Sequence, residues 1–195
     1  MRKAQAWTAV LAVIGAPLLP AAEAKAESYV FNPRKTEVRF SYAIGFTVQH
    51  GRFSQVEGTL RYDERAPERS EVFAKIATAS VETGQPIVDD ELKGVNFFNS
   101  KASPLLTFRS RSVVPVTPNT AKIAGDITVN NITKPVTLDV TLTPYDDPAL
   151  KHSADNKKFL AKTVISRAAF RMESYPDMVG DEISIEIHAV ARPAR

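Results

Sequence analysis

Residues 125–140 read Gly-Asp-Ile-Thr-Val-Asn-Asn-Ile-Thr-Lys-Pro-Val-Thr-Leu-Asp-Val, and this stretch decides the fold. Ile127 and Val129 alternate with Asp126 and Thr128, and Val136, Leu138 and Val140 alternate with Thr137 and Asp139. Period-2 patterning on both sides of a reversal predicts a β-hairpin. The reversal falls at Asn130-Asn131, since asparagine follows glycine in tolerating left-handed backbone angles. Pro135 is placed early in the return strand, where it costs no ladder bond.

The same grammar extends outward in both directions. Val38, Phe40, Tyr42, Ile44, Phe46, Val48 and His50 share one parity, which predicts a strand over 40 Å long unless Gly45 bends it or marks a bulge; Gly51 ends it. Val56, Gly58, Leu60 and Tyr62 share one face of the next strand, and a charged turn follows from Asp63 to Ser70. From Glu71 to Val81 both parities are apolar or small, which predicts a strand covered on both faces. Strands also follow from Leu106 into the hairpin, over Phe159–Ser166, and from Glu182, where Ile183, Ile185 and Ile187 alternate with Ser184 and Glu186. A mobile, proline- and charge-rich loop is expected over 145–158, and a turn region over 167–180.

One segment breaks the pattern. Asp89-Asp90-Glu91-Leu92-Lys93-Gly94 places acids in a first turn and glycine at the end, which predicts one short helix, with Val95, Phe97 and Phe98 after it and Pro104 closing the connection. The count is about eight strands and one helix: an all-β, antiparallel, lipocalin-like barrel of a single domain, with the helix near the open end. Uneven strand lengths and the lack of paired aromatic girdles favour apolar side chains turned to the lumen over an outer-membrane barrel. A barrel of eight strands is just wide enough to be filled by its own side chains or to hold one slender ligand.

The chain has 195 residues and no cysteine, so core burial alone holds it and thiol chemistry is excluded. Arg2 and Lys3, the apolar run Ala6–Leu19 and the small residues Ala22, Ala24 and Ala26 make residues 1–26 a secretory signal peptide, leaving 27–195 as the mature domain. Its removal takes away Arg2, Lys3, Lys25 and Glu23 and lowers the net charge from +3 to +1. Basic and acidic residues interleave in the remainder, which argues against nucleic acid as a partner. The histidines His50, His152 and His188 form no local metal motif. Asp89, Asp90 and Glu91 read as a solvated helix start before they read as paired catalytic carboxylates. Phe97 and Phe98 are either a lid or the staple that packs the helix, and Arg167 is either a structural cation or a head-group contact.

Val88 to Lys93 followed by Phe97-Phe98-Asn99 and Pro104, together with Gly125 to Val136, resembles the motifs of the YceI-like family, periplasmic lipid-binding barrels, over about Tyr29 to Arg192. Val88, Glu91, Asn131 and Arg171 depart from the family's usual arginine, histidine, glycine and glycine. The resemblance implies a periplasmic protein that is not an enzyme and holds a polyisoprenoid or other long-chain lipid, for transport, storage or presentation. It turns the barrel's interior from a solid core into a tunnel. The expected lining is Phe40, Tyr42, Ile44, Phe46, Ile127, Val129, Val136, Leu138, Ile185 and Ile187, with Leu92, Phe97 and Phe98 near the mouth. No cofactor or metal is expected beyond the lipid, or a quinone in its place. The protein is expected to be a monomer or homodimer, and the competing readings are an isomerase or cyclase acting on such a lipid, and a quinone-binding partner of a membrane cytochrome.

Overall fold

The structure, a computed structural model, describes residues 26–145 and 155–194. The signal peptide, His152 and most of the loop expected over 145–158 therefore lie outside the described residues. The strands are β1 (Glu27–Phe31), β2 (Glu37–Ile44), β3 (Thr47–Phe53), β4 (Val56–Tyr62), β5 (Glu71–Ala77), β6 (Val81–Glu82), β7 (Leu105–Thr117), β8 (Thr120–Val129), β9 (Ile132–Thr143), β10 (Lys157–Ser166) and β11 (Glu182–Pro193). One α-helix, α1 (Pro86–Lys93), lies between β6 and β7.

These segments make eight staves. β1 pairs with β4 and β11, while β2 pairs with β3 and the same β11, so β1 and β2 are one stave interrupted at 32–36. In the same way β3 runs on into β4, and β5 into β6. β7 to β11 follow as an antiparallel meander, and the β1–β11 pairing closes the ring. Closure leaves only the two-residue β6 paired on one side among the described strands, and removing long edges is the physical reason to bend an alternating sheet into a barrel.

The hairpin read first is β8–β9. Asn130 and Asn131 sit at φ of 50° and 60°, the two positive values a type I′ turn requires, and Val129 faces Ile132 across it. Hydrogen-bonded and non-bonded pairs alternate away from such a turn, which puts Pro135, opposite Asp126, at a non-bonded position. Its missing N–H points toward β10, where the β9–β10 ladder has already ended at Asp139 opposite Lys162. Beyond that point the Thr163 hydroxyl donates to the Thr137 carbonyl at 2.9 Å.

Several expectations need correction. The long first strand is a hairpin: Gly45, at φ 55°, begins a two-residue turn that opposes Ile44 to Thr47, and Gly51 lies inside β3 instead of ending it. That turn inverts parity. Val38, Phe40 and Tyr42 face inward on β2, but Gly51 and Phe53 face inward on β3, so Val48 and His50 are exposed on the outside. Phe46, expected in the lining, sits in the turn itself and is fully exposed, at 109%. Residues 71–81 are not one strand covered on both faces. β5 gives way to a 3-10 turn at Thr78–Ser80, and outside the barrel Phe73 lies beneath Lys75 and Arg109 at 5.6 and 4.9 Å. The strand β1 was not foreseen, and α1 begins at Pro86, before the acids, because proline's fixed φ suits a first helical position.

Candidate functional site

The barrel encloses a cavity of about 1150 Å³. Its wall runs from Ile87, Glu91, Tyr175 and Met178 at one end to Glu64, Pro67, Val116 and Asn119 at the other. Between them the wall is largely aliphatic and aromatic, with Phe31, Phe53, Phe108, Ile123 and Phe159 beside the expected residues.

Glycines explain why the lumen is open. Gly51 stands directly opposite Phe40, and a Cβ there would lie 2.3 Å from the tip of the Phe40 ring. Gly58 leaves the same kind of space for Phe31, where a Cβ would come within 2.5 Å of the ring, and Gly125 for Phe108 at 2.7 Å. Each ring settles against the wall where no side chain competes, instead of standing upright into the lumen. Phe40 also packs on Tyr42 at 6.1 Å and Phe53 at 5.5 Å, which fixes the ring in that place.

Helix α1 and the segment after it cover one end. Leu92 is buried, Phe98 meets Phe53 edge-on at 5.1 Å, and Phe97 stacks on Tyr175 at 6.3 Å, so both phenylalanines pack the helix segment and wall the cavity at once. Asp89 is spent on structure, accepting 2.6 Å bonds from the Thr83 N–H and hydroxyl. The Asn130 side chain donates to the Phe97 carbonyl at 2.6 Å, and Asn131 to the Ser103 hydroxyl at 3.2 Å, so the β8–β9 turn tethers this segment.

Arg167 holds the other part of that end. Only 5% exposed, it donates through Nε to Gly180 O, through Nη1 to Met172 O and Ser174 O, and through Nη2 to Val179 O. Both feet of the arch 171–181 are thereby pinned to one guanidinium, and the tip carries Tyr175, whose hydroxyl reaches Glu91 at 3.4 Å. In the sequence this arch is marked only by an arginine ahead of a turn region.

Twelve of the expected lining residues, Phe40, Tyr42, Ile44, Leu92, Phe97, Phe98, Ile127, Val129, Val136, Leu138, Ile185 and Ile187, face this cavity, and Phe46 does not. Burial raises the Tyr42 phenol above the usual tyrosine range, with the Asp89 carboxylate adding to it, and burial raises Tyr62, with Glu64 adding. Both phenols therefore stay neutral, and the charged side chains in the wall are Glu64, Glu91 and Arg167. His188 sits on β11 facing away from the lumen, 2.6 Å from Glu186.

The YceI-like domain family matches residues 29–191, nearly the whole of the described barrel. The chain belongs to the YceI-like family. Among YceI-like relatives, a UPF0312 protein of Pseudomonas aeruginosa is 32% identical over 139 residues, spanning 69% of this chain and 72% of that one. Burkholderia cenocepacia BcnA superposes with a TM-score of 0.74 at 22% identity, covering 82% of this chain and 98% of its own. A polyisoprenoid binding domain from Saccharophagus degradans, implicated in plant cell wall breakdown, superposes at 0.68 with 9% identity, covering 86% and 99%. At these identities the two structures share the YceI-like fold with this chain. Among the described residues no helix is long and apolar enough to cross a membrane.

Proposed function

We propose that this chain is an exported, periplasmic binding protein that encloses one polyisoprenoid or similar long-chain lipid for transport, storage or presentation. The observation that carries the reading is the cavity of about 1150 Å³, walled largely by apolar side chains along the barrel. That is above the ~300–1,000 Å³ common for small-molecule sites, as a long chain requires. Each enclosed CH2 contributes ~0.8 kcal/mol, so ~15 carbons gross ~12 kcal/mol without any polar anchor. The S. degradans domain of the same fold is described as binding polyisoprenoids, which agrees in ligand class.

The ligand contacts in this reading are the twelve cavity-facing residues named above, with Phe46 excluded. Protein purified from its native host and extracted into organic solvent should yield a stoichiometric long-chain lipid by mass spectrometry. Repeatedly empty extracts, together with no uptake of added polyprenol, would refute the reading.

A further inference from the structure

Phe46 is fully exposed at the apex of the β2–β3 turn, and it does not stand alone. Gly45 beside it donates to the Met178 carbonyl at 3.0 Å, and Ile44 bridges Val179, so the turn and the arch 171–181 are joined. Met178 is 58% exposed and Tyr175 49%, and Ile87 of α1, the helix that the arch meets at Glu91, is 87% exposed. Ile87, Tyr175 and Met178 also line the cavity, which makes this apolar rim continuous with the lumen.

From this we propose that the barrel docks, rim first, on a lipid surface, with Phe46, Ile87, Tyr175 and Met178 inserted among the head groups. The proposal rests on the lipid-binding reading, since Ile87, Tyr175 and Met178 line the lumen as well as the rim, so this end is where its ligand would meet a bilayer. The shape points the same way. The exposed residues are separate convex tips on a turn, an arch and a helix, which suit a penetrable surface better than a rigid partner with matching pockets. The charges choose among lipids. The rim segments 44–50, 85–95 and 171–182 carry seven acidic side chains and two basic ones, so an anionic bilayer repels this end and a zwitterionic one does not.

The test uses the purified protein with phosphatidylcholine vesicles. Sedimentation should show association that Phe46→Ser weakens about tenfold, that Phe46→Trp retains, and that Val164→Ser, on the outer wall, leaves unchanged. Phosphatidylglycerol vesicles should bind less at low salt and recover as salt screens the rim. Transfer of a fluorescent polyene fatty acid from the barrel should speed up in proportion to vesicle concentration, as contact transfer demands. Equal sedimentation of wild type and Phe46→Ser, tighter binding to phosphatidylglycerol, or a transfer rate independent of vesicle concentration would overturn the proposal. Retention of the probe is measured separately. Its loss in the wild type would sink the lipid-binding reading, while sedimentation would still decide docking.

Discussion

Gly51 carries no side chain, and the Phe40 ring occupies the space that one would fill. In Gly51→Ala the new methyl would start 2.3 Å from that ring, so the ring must swing toward the lumen or the wall must yield. Overpacking of this kind costs about 1–3 kcal/mol. A denaturant titration should show that loss, and lipid uptake should fall in capacity as well as affinity. The strand alternation marks Phe40 as inward but says nothing of the ring's tilt, because the partner glycine is set by a register that one strand does not contain. Arg167 was undecided for a related reason: a guanidinium's role depends on which carbonyls converge on it, and these come from residues 172–180.

Among the elements, the β8–β9 turn was legible because asparagine pairs are chosen for their backbone, yet its side chains do a second task. Asn130→Gly keeps the φ of 50° and removes the bond to Phe97 O, so it should lose about 1 kcal/mol of stability and loosen the segment 95–103 in hydrogen exchange. Asn130→Ala should lose roughly 1 kcal/mol more, since alanine tolerates a positive φ poorly. The arch has its own pH dependence. The Ala168 N–H, then Ser166, hold the Asp181 carboxyl below the usual aspartate range, with Arg167 adding to it. A depressed carboxylate stabilises above its unfolded pKa and stops doing so as pH falls through its folded one. Acidification below about pH 4 should therefore loosen the arch, and Asp181→Asn should remove that part of the transition in a pH-dependent melt. The β2–β3 turn shows the limit of reading one strand at a time. Period 2 passed unbroken through Gly45, since both arms of a hairpin alternate, and only the pairing of Ile44 with Thr47 turned Phe46 and Val48 outward.

For the whole molecule, a lumen whose charged lining residues, Glu64, Glu91 and Arg167, stand toward its ends makes affinity a matter of enclosed length between them. Binding of a homologous series of fatty alcohols should tighten by up to about fourfold per added CH2 and then level off when the cavity is full. A series that stays flat, or one governed by the head group, would contradict an apolar tunnel. At a ligand concentration of 100 times Kd the folded state gains about 2.7 kcal/mol, which should raise Tm by roughly 5–10 °C in a domain of this size. The sequence by itself determined the β class, the stave count, the helix and most of the inward-facing residues, because alternation and turn chemistry are local and repeat along the chain. Whether those inward residues fill the barrel or leave a channel was a tertiary matter. It rests on which rings come to lie over which glycines across staves, and on where the turn at Gly45 reverses the wall, and neither relation exists until distant strands are in register.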